Sequence, residues 1–160
     1  ENAAFSILSE MLNKVDLYFY TEEKVEIIKA LETRDEEIID KTLIKKYNGK
    51  VPDTFEELMK LKGVGKKTAA ITMVYGHRKA DYIPVDVHVH VISNRLGWVK
   101  TKNAEQTMDN LMKIVPKKYW HDLNDLFVLH GQNVCITMSP LCSKCAIRQY
   151  CPRIGVKRSR

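Results

Sequence analysis

The residues with the clearest chemical pattern are the only four cysteines of the chain, Cys135, Cys142, Cys145 and Cys151, separated by six, two and five residues. Disulfides gain most when they close long loops, so thiols grouped in one short segment are poorly placed to crosslink a fold. The chain shows no secretory signal and no apolar run that could span a bilayer, and we expect a reducing compartment. The spacing therefore predicts a metal site, and four thiolates suit zinc or an iron–sulfur cluster about equally.

The composition is that of a globular protein with a basic surface. The 160 residues are 44% hydrophobic and 29% charged, with a formal net charge of +6 and a pI of about 9.1. This is enough apolar material for one core or two small lobes. The positive charge favours a polyanionic partner, although it does not identify one.

A second motif runs from Leu61 to Ala69 and contains two glycines, Gly63 and Gly65, followed by the cations Lys66 and Lys67. It predicts the end of one helix, a short hairpin and the start of another helix. Such a turn exposes backbone N–H groups at a helix N-terminus, where a phosphate can approach closely. The spacing does not fit a nucleotide-binding P-loop, and a plain turn between two helices is the alternative.

The hydrophobic periodicity predicts an all-α protein. Helices are expected from Ala3 to Leu12, from Thr21, from Thr33 to the Asn48-Gly49 stop, from Asp53, from Asn103 to the residues before Pro116, and from Tyr119 to Leu129.

The stretch from Val85 to Val91 is ambiguous, because valine alternates there with Asp86, His88 and His90. That alternation favours a β-strand. The same residues also fit one helical face, with Asp86 as N-cap and Gly97 at the C-terminal end. The pattern alone favours the strand.

Taken together, these motifs resemble the endonuclease III family of helix-hairpin-helix DNA glycosylases. The resemblance runs from about Gly49 to Pro152 and rests on the Leu61–Ala69 hairpin, on Val85-Asp86-Val87-His88 and on the cysteine spacing. In sequence, the matching segment is closer to the eukaryotic branch of the family. The family fold implies a helical lobe carrying the hairpin over residues 1–80, and a second lobe over residues 81–160 that ends in a [4Fe–4S] cluster loop.

The resemblance implies a role for each matched residue. Lys67 would be the nucleophile that attacks C1′ of a damaged nucleoside and forms a Schiff base, and Asp86 would be the essential carboxylate. The four cysteines would hold the [4Fe–4S] cluster, and the DNA contacts would come from Gly63, Val64, Gly65, Lys66, Thr68 and His88. The plainer interpretations are that Lys67 contacts a phosphate and that Asp86 only caps a helix.

The implied function is a DNA glycosylase and abasic-site lyase that removes oxidised pyrimidines from double-stranded DNA during base excision repair. An amine at position 67 favours excision coupled to β-elimination, since relatives that only hydrolyse carry a hydroxyl there. The target base must be flipped out of the duplex. We expect a monomer in the nucleus, with a mitochondrial pool also compatible with the sequence, and no association with membranes.

Two features depart from the family pattern. The loop Ile136–Leu141 between the first two cysteines has no cation, and we expect Lys144, Arg148 and the tail from Arg153 to Arg160 to replace its charge. At the N-terminus, Leu8-Ser9-Glu10-Met11-Leu12-Asn13 stands where the family has a glutamine that fills the gap left by the flipped base. The alternative function is therefore a DNA-binding module derived from a glycosylase, with little or no catalysis.

Overall fold

The computed structural model describes residues 46–48 and 50–160. The helices predicted from Ala3 and Thr21, most of the one from Thr33, and the segment Leu8–Asn13 lie outside these residues. The described part contains five α-helices and no strand: α1 Phe55–Met59, α2 Lys66–Ile71, α3 Val87–Arg95, α4 Ala104–Ile114 and α5 Trp120–Asn133. A π-helical turn, Thr72–Gly76, extends α2, and 3-10 turns cover Lys117–Tyr119, Cys142–Lys144 and Arg148–Tyr150. The all-α prediction is confirmed.

The helix starts predicted at Asn103 and Tyr119 are confirmed, since these residues are the N-caps of α4 and α5. Asn103 caps α4, because its side chain accepts a hydrogen bond of 2.9 Å from the backbone N–H of Gln106. The cap predicted at Asp53 is wrong by one residue, since Thr54 is the N-cap of α1. The Asp53 carboxylate instead accepts a hydrogen bond of 2.8 Å from the Lys79 ammonium, which draws it away from the helix.

The strand favoured by the valine alternation is wrong, since Val87–Val91 lies in helix α3 and Asp86 is its N-cap. The Asp86 side chain accepts a 2.9 Å bond from the N–H of Val89 and so caps its first turn. Val89 and Ile92 are fully buried against α5, whereas Val87 is 58% exposed. Gly97, with φ of +71°, ends the helix in the left-handed region that glycine adopts easily. Tertiary packing of one helical face therefore outweighs the β-propensity of valine.

The hydrophobic interior has two parts. A large cluster joins α3, α4 and α5, and its fully buried members include Ile83, Val89, Leu111, Leu123 and Phe127. A small cluster beneath the hairpin is built from Leu58, Leu61, Ala69 and Met73. Within residues 46–48 and 50–160, none of the helices is long and apolar enough to cross a membrane.

Candidate active site and cysteine pocket

The hairpin between α1 and α2 is as open as its two glycines suggest. Gly63 has a φ of +84°, which favours glycine, and the N–H of Val64 closes the turn on the carbonyl of Leu61 at 3.1 Å. A Cβ atom added to Gly63 or Gly65 would meet no atom of residues 46–48 and 50–160 within 4 Å, chain neighbours aside. The side chain of Val64 packs against the small hydrophobic cluster, so it anchors the turn from below. The outer side of the hairpin is free for the backbone of a ligand to approach.

The first turn of α2 follows this hairpin without a side-chain cap. Gly65 is the N-cap, and the first hydrogen bond of the helix runs from the N–H of Ala69 to the carbonyl of Gly65 at 2.9 Å. The N–H groups of Lys66, Lys67 and Thr68 therefore have no acceptor within the helix. Uncapped N–H groups and the positive end of the helix dipole favour an anion such as a phosphate.

The two lysines at the start of α2 differ in their surroundings. The Lys66 ammonium lies 3.3 and 3.4 Å from the two carboxylate oxygens of Asp109 on α4, so part of its charge is already neutralised. Lys67 is exposed, and within the described residues it forms no hydrogen bond or ion pair. Its amine is therefore accessible to a substrate.

Asp86 lies at the first turn of α3 and is half-buried. Oδ1 is engaged by the N–H of Val89, which leaves Oδ2 without a hydrogen bond in the part of the chain that the structure describes. A capping carboxylate with one free oxygen can still accept a proton or stabilise a developing positive charge. No hydrogen bond or ion pair links Asp86 to Lys67 among the described residues, so the structure does not join the two predicted catalytic groups directly.

His88 follows Asp86 and packs against α5. An ideal Cβ built on Gly131 would lie only 2.4 Å from the Nδ1 atom of His88, so the imidazole occupies the space left by the missing side chain. The ring is half-buried, and only part of it is available for contact with DNA. The sequence analysis did not identify this packing role of Gly131, because nothing in the neighbouring sequence marks it.

The four cysteines line a single pocket. The pocket lies beside the large cluster, against which Cys135, Cys145 and Cys151 pack. Arg95 and His130 also line it. The Nε2 atom of His130 is 3.6 Å from the sulfur of Cys145, and burial lowers the pKa of this histidine. The sequence prediction that these thiols meet at one site is therefore supported by their placement.

The sulfur atoms lie among donors suited to thiolates. Burial raises the pKa of the Cys145 and Cys151 thiols, while the backbone N–H groups of Ile147 and Arg153 donate to them and lower it. The negative charges of neighbouring cysteines raise both pKa values further. A cationic inorganic group would remove that repulsion and favour the thiolate forms.

Arg95 is the functional residue that sequence reasoning missed. It is only 9% exposed, and its guanidinium donates to the sulfur of Cys135 at 3.2 Å. It also donates to three carbonyls of the first cysteine loop at 2.6 to 3.0 Å, those of Cys135, Ile136 and Thr137. One signal was available, because Arg95 follows Ile92 by three residues and so belongs to the buried face of a helical α3.

The cysteine geometry can be compared with the two candidate metals. In the described residues, no group of three or more His, Cys, Asp or Glu side chains is arranged to hold a single metal ion. The four thiols that line the pocket nevertheless have the ligand chemistry of an iron–sulfur cluster, and backbone N–H groups donate to two of their sulfurs, those of Cys145 and Cys151.

Comparisons with known proteins identify relatives of this chain. Residues 46–75 match the model of the helix-hairpin-helix motif. The chain is 46% identical over 113 residues to endonuclease III of Thermotoga maritima, covering 71% of this chain and 53% of that protein. It is 42% identical over 112 residues to endonuclease III-like protein 1 of Gallus gallus, covering 69% and 40%. A solved structure of a trapped covalent intermediate of endonuclease III with DNA matches with a TM-score of 0.69 at 33% identity, covering 82% and 64%.

These matches define the fold as that of the helix-hairpin-helix DNA glycosylases. The chain belongs to the endonuclease III family. It spans about half the length of the curated relatives that it matches.

Proposed function

We propose that the protein is a DNA glycosylase and abasic-site lyase of base excision repair that acts on oxidised pyrimidines in double-stranded DNA. The observation that carries this proposal is the position of Lys67. Its exposed amine has no partner among the described residues and stands in the first turn of an uncapped helix, directly after an open glycine hairpin. The hairpin can hold the phosphate backbone while the amine reaches the sugar.

The reaction follows from the two groups. The Lys67 nitrogen forms a bond to C1′ while the bond from C1′ to the base breaks, and the base leaves with a proton. Loss of the proton from nitrogen and opening of the sugar give a Schiff base, from which removal of a C2′ proton expels the 3′ phosphate. Asp86, whose Oδ2 has no hydrogen bond among the described residues, stabilises the positive charge that develops on the sugar and assists these proton transfers.

The proposed cofactor is a [4Fe–4S] cluster held by Cys135, Cys142, Cys145 and Cys151. Such a cluster supplies four metal–thiolate bonds that cross-link the segment after α5. Arg95 holds the loop of Cys135 through its carbonyls and this sulfur, and the N–H groups of Ile147 and Arg153 donate to two of the other sulfurs that would bind the cluster. Zinc is the competing occupant, and measurement of iron and acid-labile sulfide in the purified protein distinguishes the two.

The second candidate is a DNA-binding module without excision activity. It is favoured by one observation, that Lys67 and Asp86 share no hydrogen bond or ion pair within the described residues. This module would bind duplex DNA through the hairpin with strong dependence on salt and with little preference for damage. A monomeric state and a nuclear location stay predictions under either function.

Strand cleavage of a duplex containing thymine glycol tests the proposal. We expect the wild-type protein to cut the damaged strand and Lys67→Gln to lose at least a hundredfold in rate, because the nucleophile is gone. Lys62→Gln is the matched control, since it removes one exposed cation from the same hairpin. Equal duplex affinity of the two variants, with cleavage only in Lys62→Gln, supports the role of the amine. Cleavage by Lys67→Gln at the wild-type rate would contradict it.

A further inference from the structure

The C-terminal segment 135–160 carries an unbalanced positive charge. It contains no acidic residue and six cations, all exposed: Lys144, Arg148, Arg153, Lys157, Arg158 and Arg160. In the part of the chain that the structure describes, none of their side chains forms an ion pair. Some exposed lysines elsewhere do so, for example Lys79 with Asp53 and Lys117 with Asp81. We call these six residues the basic tail surface.

The backbone brings the end of this segment back onto the first cysteine loop. The N–H of Ile154 bonds to the carbonyl of Arg95 at 3.1 Å, which ties the tail to the end of α3. A turn at Gly155, with φ of +75°, then reverses the chain. Finally, Arg160 donates its N–H to the carbonyl of Pro140 at 2.9 Å and accepts from the N–H of Ser143 at 3.0 Å. The tail therefore runs beside the loop between Cys135 and Cys142.

The path of the tail places cations beside a cysteine loop that has none of its own. The loop Ile136–Leu141 has no cation, yet Lys157, Arg158 and Arg160 follow the turn that places the tail alongside it. Backbone hydrogen bonds fix that placement without using the cationic side chains. Those side chains are therefore available to a ligand.

We propose that the basic tail surface binds the phosphate backbone of DNA, on the same duplex that enters the candidate active site. This inference rests on the proposed function. Helix α3 begins next to Asp86 and ends at Arg95, which contacts both the cysteine loop and the tail. Its nine residues span about 14 Å, or about four base pairs of a duplex. A duplex with a damaged nucleotide at Asp86 is long enough to reach the tail surface.

The cations of the basic tail surface are suited to binding phosphate. Guanidinium groups bind phosphate through paired N–H donors, and unpaired cations release counterions when they meet a polyanion. The segment has no Asp or Glu side chain that could compete with a phosphate for these cations.

The test uses the full chain carrying Lys157→Gln and Arg158→Gln together. We measure its affinity for an undamaged duplex by fluorescence anisotropy over a range of salt concentrations. If both cations contact phosphates, the slope of log affinity against log salt falls in magnitude by about 1.8, and affinity near physiological salt falls about tenfold. The control carries Lys79→Gln and Lys117→Gln, which remove the same charge from residues already paired with carboxylates. We expect the slope of this control to stay at the wild-type value.

Further outcomes separate this inference from the proposed function. Lys157→Arg with Arg158→Lys keeps the charge and should restore the wild-type slope if the double neutralisation acts through charge. A neutralised variant that binds duplex with the wild-type slope overturns the inference, as does one that loses only binding to anionic lipid vesicles. If the wild-type protein cleaves damaged duplex and the neutralised variant keeps the wild-type salt slope, the proposed function stands. Only the role of the tail surface is then contradicted.

Discussion

The hairpin and the cysteine pocket are stabilised in different ways. The hairpin sits on a small cluster of four buried side chains, all from residues close to it in sequence. The pocket lies against the large cluster and depends on Arg95, which is 40 positions from the cysteine that it contacts. The geometry of the hairpin therefore comes from local glycines and turn hydrogen bonds, whereas that of the first cysteine loop depends on a buried cation that is distant in sequence.

Replacing Arg95 should have the largest effect on the pocket. Arg95→Met removes every guanidinium donor and leaves three carbonyls and one sulfur without their partner, which we expect to cost about 3 kcal/mol or more. Iron bound per chain should fall to less than half, and the unfolding temperature should drop by several degrees. Arg95→Lys is the control. It should retain part of the iron content and part of the thermal stability, because one ammonium can satisfy only some of the acceptors. Full iron content in Arg95→Met would show that the pocket does not depend on this residue.

Gly131→Ala should have the next largest effect, on the packing of α3 against α5. The new methyl group would overlap the His88 ring, and relief of that overlap should cost about 1 to 3 kcal/mol in the free energy of unfolding. Gly76→Ala is the matched control, because a Cβ there meets only a Thr72 methyl at 3.7 Å. Chemical denaturation of both variants measures the difference. Equal stability of the two would mean that the helices separate without cost.

Asp86 allows the capping and catalytic roles to be separated. Asp86→Ala removes the bond to the N–H of Val89 and should lower stability by about 1 kcal/mol, whereas Asp86→Asn keeps a capping oxygen and should stay near the wild type. If the carboxylate is also catalytic, both variants should lose strand cleavage. Cleavage retained by Asp86→Asn would reduce this residue to a helix cap.

The smallest expected effect concerns Glu57 in α1 and the stability of the protein at low pH. Hydrogen bonds from Lys60 and from the Tyr47 hydroxyl lower the pKa of Glu57 from 4.5 to about 2. Because the folded pKa is depressed, the stabilisation is present above pH 4.5 and is lost as the pH falls toward 2. Glu57→Gln should therefore show a weaker loss of stability across that window in acid titrations monitored by circular dichroism. An unchanged titration would mean that these exposed contacts contribute nothing, as many surface ion pairs do.

Residues whose role is local could be predicted from the sequence. The Asn103 cap, the glycine hairpin and the glycine end of α3 each depend on the conformational preference of one or two residues. The four cysteines were assigned to one site because their spacing is short and their chemistry leaves few alternatives.

Residues whose role depends on distant contacts could not be predicted in this way. The valine alternation pointed to a strand because periodicity carries no information about which face the rest of the chain will bury. The pairing of Lys66 with Asp109, the packing of His88 on Gly131 and the contacts of Arg95 all join positions more than 30 residues apart. Such contacts are set by the tertiary fold and leave little trace in local patterns.

The central claim is that the amine of Lys67 forms a covalent bond with the sugar of a damaged nucleotide. Incubation with a thymine glycol duplex and borohydride, followed by peptide mass spectrometry, tests it most directly, since reduction makes a Schiff base permanent. We predict a stable protein–DNA adduct mapped to Lys67, and no adduct with Lys67→Gln. An adduct at another amine, or none under conditions in which the wild-type protein binds the duplex, would contradict the account.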